Sequence, residues 1–215
     1  MGVDPLSERR GTVRFFKICF LFLCAGWSVA AAAEPVPGKA APAFTGTDSK
    51  GQKISLSDFR GKRVVLEWTN KDCPYVRKHY SSGNMQRLQR ALTEDGAVWL
   101  SVISSAPGKQ GFLTPEEADD VAAREGSYAD HIILDPDGVI GRAYGASTTP
   151  HMFIIDTDGT LRYMGAIDDR PSTRQASLNG ATNYVMKAWT AVKAGQPVNP
   201  TSTKPYGCSV KYGRQ

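Results

Sequence analysis

Trp68-Thr69-Asn70-Lys71-Asp72-Cys73-Pro74-Tyr75-Val76 is the stretch on which the reading of the whole chain turns. It grows out of Arg63-Val64-Val65-Leu66-Glu67-Trp68, a run of strand formers. The Val64-Val65-Leu66 centre of that run is continuous rather than alternating, as in a strand covered on both faces. A short polar turn follows, and Pro74 suits the first position of a helix. This order places one thiol at the exposed start of a helix, where backbone N–H groups and the helix dipole favour thiolate over thiol. Cys73 therefore reads as a redox nucleophile. The plainer alternative is a free cysteine used as a small buried apolar residue.

The 215 residues have room for one domain with a full core, plus ends. Apolar content of 41% and charged content of 22% are those of a soluble globular protein. Residues 1–33 depart from that pattern. Arg9, Arg10, Arg14 and Lys17 precede an apolar stretch from Ile18 to Val29, and Ala30-Ala31-Ala32-Ala33 follows. Basic flank, short apolar centre and small-residue exit are expected of a secretory signal peptide cleaved before Glu34. The centre is too short to span a bilayer comfortably, which disfavours an uncleaved anchor. Arg9-Arg10 is followed by Gly11-Thr12-Val13, a poor twin-arginine continuation, and neither Cys19 nor Cys24 has the approach of a lipoprotein cysteine. Cleavage removes four basic and two acidic residues, so the net charge falls from +5 to +3. It also leaves Cys73 and Cys208 as the two cysteines of a periplasmic or secreted chain with no stable membrane anchor. In an oxidising compartment they fit one disulfide, either a staple or a bond that cycles. Lysines and arginines are interspersed with acids, which excludes a nucleic-acid footprint.

Residues 34–43 form a proline- and alanine-rich lead-in. Phe44 to Asp48 and Lys53 to Leu56 flank the turn Ser49-Lys50-Gly51 and read as a hairpin. After the strand at Arg63 to Trp68, a helical pattern runs from Pro74 to Leu92, broken at Ser81-Ser82-Gly83-Asn84. Ala97 to Ile103 is the next buried strand, and residues 106–113 make a long loop. Thr114 is a good N-cap, with Pro115 at the first helical position of a helix to about Glu125. Strands at His131 to Leu134, Met152 to Ile155 and Thr160 to Met164 follow, with a short helix at Val139 to Tyr144. A last helix is expected from about Ala176 to Ala194, ended by Gly195. Alternating strands and helices with a closing hairpin imply an α/β fold, a central mixed sheet flanked by helices.

This order, with Cys73-Pro74 between strand and helix, resembles the thioredoxin-like superfamily. A second landmark is Gly145-Ala146-Ser147-Thr148-Thr149-Pro150-His151-Met152-Phe153-Ile154-Ile155, which looks like the stretch where these proteins place a Thr-Pro cis bond beside the active thiol. The resemblance covers roughly residues 39–170 and is nearest to the redoxin branch, the alkyl hydroperoxide reductase and thiol-specific antioxidant family. It implies a thioredoxin-like domain over residues 34–172, with residues 173–215 as a C-terminal helix and cysteine-containing tail on the same domain. It also implies a thiol–disulfide oxidoreductase or thiol peroxidase that needs no cofactor and no metal. Its partners would be protein thiols and disulfides or a small peroxide, with an external thiol as reductant.

Departures from the family patterns narrow this. The second cysteine of Cys-X-X-Cys is replaced by Val76. Peroxiredoxins carry a proline seven residues before the reactive cysteine and a Thr or Ser three before it, where this chain has Leu66 and Asn70. Their activating arginine falls at Pro150 here, so Thr69 or Asn70 is left as a partial substitute. Disulfide exchange is accordingly the leading reading, with peroxide reduction as runner-up.

The candidate site residues follow. Cys73 is the nucleophile, its thiolate helped by Lys71, Arg77 and Lys78. Cys208, set among Tyr206, Val210 and Tyr212, is expected to dock near Cys73 as its disulfide partner, with pairing to another molecule or a loose tail as alternatives. Glu67 lies six residues before Cys73, the spacing of the buried proton-relay carboxylate in thioredoxins. Thr149 and Pro150 would present backbone to an extended substrate. A rival of another class is a copper- or partner-binding module, with His151 as a second ligand beside Cys73.

Overall fold

Val64-Val65-Leu66 can be apolar without interruption because its strand lies inside a sheet with both faces covered. The computed structural model describes residues 1, 2 and 34–214, so the signal-peptide reading lies outside the described residues apart from the first two. The described residues from 34 onward form one compact unit. Its main sheet is built from β1 (Thr45–Asp48), β2 (Lys53–Ser55), β3 (Arg63–Trp68), β4 (Ala97–Ile103), β5 (His131–Leu134), β7 (His151–Ile155) and β8 (Leu161–Gly165). The spatial order is β2-β1-β5-β4-β3-β7-β8. Strands β3, β4 and β5 run parallel, with Leu66 level with Leu100. Strand β7 is antiparallel to β3 and continues into the β7–β8 hairpin, while the β1–β2 hairpin closes the other edge.

The side-chain period of two sorts the core into halves. Val64, Leu66 and Trp68 face Leu100, Tyr144 and Phe153 on one side. Val65, Trp99, Met152 and Ile154 face the other, where α1 (Pro74–Ser81), α2 (Asn84–Glu94) and α5 (Tyr184–Lys193) lie over them. Each fully buried Leu, Ile or Phe adds roughly 1.5–3 kcal/mol relative to exposure. The break between α1 and α2 falls at Gly83, whose φ of +70° ends one helix and admits the next. Beside them, over Ile103 and Ile132, α3 (Pro115–Glu125) starts from a capping box in which the Glu117 N–H and the Thr114 hydroxyl, and the Thr114 N–H and the Glu117 carboxylate, are paired. The short helix α4 (Val139–Ala143) leads to a two-residue strand, β6 (Thr148–Thr149).

Two expectations change. The last helix begins at Tyr184 rather than Ala176. A 3-10 turn at Gln175–Leu178 is cut off by Gly180 at φ +69°, and Asn183 then caps α5 by accepting from the Met186 N–H at 2.9 Å. The tail also carries a strand that its polar composition did not announce, β9 (Cys208–Ser209), paired antiparallel with β6. Upstream of it, Thr201 and Thr203 hydrogen-bond the Met164 backbone at 3.1 Å each. Downstream, Val210 donates to Ser147 at 3.0 Å and Lys211 accepts from Ala106 at 2.9 Å. Tyr212 closes the path. Its hydroxyl donates to the Ala146 carbonyl at 2.7 Å, and the Arg142 guanidinium lies 4.4 Å from its ring centroid.

Gly141 leaves the space that the Tyr212 ring fills: a Cβ there would stand 2.8 Å from Tyr212 Cε1 and 2.7 Å from Ser104 Oγ. In a free helix Gly→Ala stabilises by about 1 kcal/mol. Here the collision reverses the sign, and Gly141→Ala is expected to cost about 1–3 kcal/mol, read as a lower urea midpoint. A raised midpoint would show that Tyr212 does not occupy this seat.

Candidate active site

The loop leaving β3 is fixed by Asn70. Its buried side chain accepts from the Asp72 N–H at 2.9 Å and donates to the Gln110 carbonyl at 3.2 Å, while its own carbonyl takes the Cys73 N–H at 3.0 Å. Gln110 returns a bond to the Asp72 carbonyl at 3.2 Å, so the loop of residues 106–113 clamps the turn before the cysteine. Cys73 is the N-cap residue of α1 and Pro74 its first helical position. Across from it runs the cis bond Thr149-Pro150. Cys73 Sγ lies 3.1 Å from the Thr149 carbonyl oxygen, which accepts from the protonated thiol.

Cys208 completes the site from the tail. In the β6–β9 ladder Thr149 pairs with Cys208 and Thr148 with Ser209, which sets Cys208 against the Cys73 thiol. Gly207, at φ +146°, allows this approach: any Cβ there would collide with the Thr149 carbonyl. Both cysteines are free thiols here. Cys73 is 0% exposed, whereas Cys208 is partly open to solvent.

Burial pushes the Cys73 thiol up, but hydrogen bonding to the sulfur outweighs it and holds the pKa below its ordinary value. The Cys208 thiol is the leading donor, followed by the backbone N–H groups of Val76 and Cys208. The Thr149 hydroxyl is buried beside the sulfur and has no hydrogen-bond partner among the described residues. Cys208 moves the opposite way, to about 11, through burial and the adjacent Cys73. Of the two thiols, Cys73 therefore gives up its proton more readily than Cys208.

Several expectations are corrected at this point. The lowering at Cys73 comes from neutral donors rather than from the neighbouring cations: Lys71 is paired with Asp72 at 2.8 Å, and Lys78 turns into a separate cluster. Asn70 spends its amide on the loop and is not available to a peroxide. His151 lies on the wrong face for shared ligation with Cys73. Met152 faces the Cys73 side of the sheet, so His151 points the other way, its ring 4.5 Å from that of Phe153. Burial lowers the His151 pKa to about 4.

Glu67 is fully buried at the centre of a polar knot. Tyr80 donates to it at 3.0 and 3.1 Å, Trp99 Nε1 at 3.0 Å, Gln89 at 3.1 Å and Ser101 at 3.2 Å. Burial outweighs these donors and keeps the carboxyl above its usual range. A cysteine is not among its partners, so a proton relay from Glu67 has no direct hydrogen bond to either sulfur.

Sequence reading missed what holds the tail in place. Two residues before Cys208, Tyr206 lowers its hydroxyl into a buried cluster of Lys78, His79 and Asp168. The hydroxyl donates to Asp168 Oδ1 and accepts from Lys78 Nζ at 3.1 Å and from His79 Nε2 at 3.3 Å. Asn84 donates to His79 Nδ1 at 2.8 Å, which fixes that tautomer. Lys78 also donates to the Arg170 carbonyl at 2.8 Å, and Asp168 Oδ2 lies 3.8 Å from it. Burial, then the Lys78 charge, lowers the His79 pKa to about 3, so the ring is neutral. One signal was present: His79 stands three residues after Val76 and one before Tyr80, within the apolar stripe of α1.

The chain belongs to the AhpC/TSA family, whose model matches residues 37–164, a span that ends before Tyr206 and Cys208. It is a redoxin-family enzyme with a thioredoxin-like fold. It is 31% identical over 127 residues to the thiol-disulfide oxidoreductase ResA of Bacillus thuringiensis, covering 58% of this chain and 66% of that protein. It is 30% identical over 155 residues to a thioredoxin peroxidase of Echinococcus granulosus, covering 65% and 75%. A solved structure of an uncharacterized conserved protein from Geobacillus kaustophilus superposes with a TM-score of 0.71 at 27% identity, covering 84% of this chain and 94% of that one.

Removing the Tyr206 hydroxyl leaves the buried Asp168 carboxylate short of a donor. Tyr206→Phe is expected to destabilise the protein by about 1–3 kcal/mol, measured by urea unfolding at pH 7. His79 should remain neutral in the native state: its ring NMR signals should not titrate between pH 8 and pH 5. Its unfolded-state pKa is 6.5 against about 3 when folded. Its contribution to stability is thus present above pH 6.5 and is lost as the pH falls toward 3. Titration near 6.5 in the folded protein would contradict the buried placement.

Proposed function

We propose that this chain is an exported thiol–disulfide oxidoreductase whose redox couple is Cys73 and Cys208. The observation that carries the reading is the β6–β9 ladder, which pairs Cys208 with Thr149 beside the cis-proline, while the Thr149 carbonyl oxygen lies 3.1 Å from Cys73 Sγ. The second thiol that Cys-X-X-Cys proteins supply three residues on, where this chain has Val76, is supplied here by the tail. In the oxidising half-cycle the Cys73 thiolate attacks the Cys208 sulfur of a mixed disulfide. The Cys73–Cys208 bond forms, the bond from Cys208 to the partner breaks, and the partner leaves as thiolate. Thr149 and Pro150 serve by backbone, seating β9 over the nucleophile. Glu67 sets the floor of the site through Tyr80 and Trp99.

Residues 1–33 are read as the signal peptide, 34–172 as the thioredoxin-like domain and 173–215 as the helix and tail that carry the second cysteine. No helix of the described residues is long and apolar enough to cross a membrane. The partners proposed are protein thiols and disulfides in a periplasmic or extracellular setting, with an external thiol as reductant. Thiol peroxidase activity is the second reading, favoured by the family and by the thioredoxin peroxidase relative. Against it stand Pro150 at the position of the activating arginine and the full burial of Cys73.

A non-reducing peptide map of the full chain after oxidation by glutathione disulfide should show Cys73 linked to Cys208, while hydrogen peroxide consumption stays at background. Two unlinked thiols would sink the couple, and rapid peroxide turnover abolished by Cys73→Ser would promote the peroxidase. Gly207→Ala pushes β9 off the Thr149 carbonyl. It is expected to lower the thiol–disulfide equilibrium constant by about tenfold, close to 30 mV in reduction potential, measured against glutathione buffers.

A further inference from the structure

The couple has an unequal exposure. Cys73 is 0% exposed, beneath β9 and against Thr149, while Cys208 on the same contact is partly open. An open cleft lined by Thr148, Asp169, Pro171, Lys204 and Gly207 adjoins β9. Thiol–disulfide exchange needs the incoming sulfur to approach the attacked sulfur from the side opposite the leaving one. With the tail docked, Cys208 is the partly exposed residue of the couple, next to Gly207 of that cleft, and Cys73 is fully buried.

We infer that Cys208, not Cys73, is the sulfur at which external thiols and disulfides exchange, and that Cys73 acts only inside the molecule. The inference rests on the Cys73–Cys208 couple proposed above and assigns its two ends. In reduction, a partner thiolate attacks Cys208 Sγ of the intramolecular disulfide. The partner–Cys208 bond forms, the Cys73–Cys208 bond breaks, and the electron pair departs on Cys73 as thiolate. A second partner thiolate then attacks the mixed disulfide at the partner's sulfur and releases Cys208, which takes up a proton from solvent. Two partner thiols leave as one disulfide, and the couple gains two electrons. Oxidation passes through the same mixed disulfide in reverse.

The acid–base properties point in the same direction. A leaving thiol departs faster the lower its pKa. Attack on Cys208 expels Cys73, whose pKa lies below the ordinary thiol value, whereas attack on Cys73 would have to expel Cys208, raised to about 11. The Tyr206 anchor has a matching consequence. By holding β9 two residues upstream, it keeps the exposed sulfur within reach of the buried one throughout the cycle. The partner this arrangement suits carries an accessible thiol on a small molecule or an exposed peptide segment. A folded disulfide that had to be threaded under β9 would be excluded.

Trypsin separates the two sulfurs, with Cys73 between Lys71 and Arg77 and Cys208 before Lys211. The oxidised full chain is mixed with excess reduced glutathione, quenched in acid within the reaction and mapped by mass. At least tenfold more glutathione is expected on the Cys208 peptide than on the Cys73 peptide; equal labelling, or an excess on Cys73, would overturn the inference. The full-length Cys73→Ser and Cys208→Ser variants give a second measurement with glutathione disulfide. Cys73→Ser should hold a stable mixed disulfide at Cys208, and Cys208→Ser should be modified at least tenfold more slowly until urea releases the tail. Comparable native rates would overturn the assignment of ends while leaving the couple intact. Failure of the wild-type chain to form the intramolecular bond overturns the couple, and the inference with it.

Discussion

The ladder between Thr149 and Cys208 governs the architecture of the site. The ladder lies beside Cys73, which is 0% exposed, and sets next to it Cys208, which is partly open to solvent. Only two residue pairs make up the ladder, too few to be stable alone in water. Its persistence comes from anchors on either side. Tyr206 is held by Lys78, His79 and Asp168, and Tyr212 is seated between α4 and the Ala146 carbonyl. The tail is thus pinned at two aromatic points, with the reactive cysteine suspended between them.

The buried polar knots differ in kind. Glu67, Tyr80, Gln89, Trp99 and Ser101 satisfy one another at the sheet centre, and Glu67 is the one carboxylate in that knot. The Tyr206 cluster contains a buried ammonium, a neutral imidazole and a carboxylate, and it forms only if the tail arrives. Breaking one member of such a cluster is costly because the others are left buried and unpaired. The first knot fixes β3 under the site, and the second fixes the far end of the chain above it.

The regular elements were largely legible in the sequence. The continuous Val64-Val65-Leu66 run, the Thr114-Pro115 helix start and the Thr-Asp-Gly hairpin are local signals, and local physics decides them. The start of α5 differs from expectation because Gly180 at φ +69° interrupts the chain and the Asn183 cap starts the helix at Tyr184, where its apolar stripe also begins. At the site, the sequence exposed the thiol, the missing neighbour at Val76 and the cis Thr149-Pro150 bond. It could not show β9. Two-residue strands carry no periodicity, and their pairing is decided by partners about 60 residues away, Thr149 with Cys208 and Thr148 with Ser209. Nor could it show that Lys78 turns inward, since a lysine on a helix is usually a solvated residue.

The distance along the chain between the two thiols has a consequence for how the protein matures. Cys73 and Cys208 are 135 residues apart, so their contact depends on the β6–β9 ladder and the Tyr206 anchor rather than on neighbouring sequence. A Cys-X-X-Cys pair can oxidise in an unfolded chain, but this pair cannot do so efficiently, because a long loop must first be closed. Once made, a cross-link over so long a loop removes chain entropy worth about 5 kcal/mol from the unfolded state. In the proposed pairing the bond would therefore double as a record of completed folding, since it can form only with the tail docked.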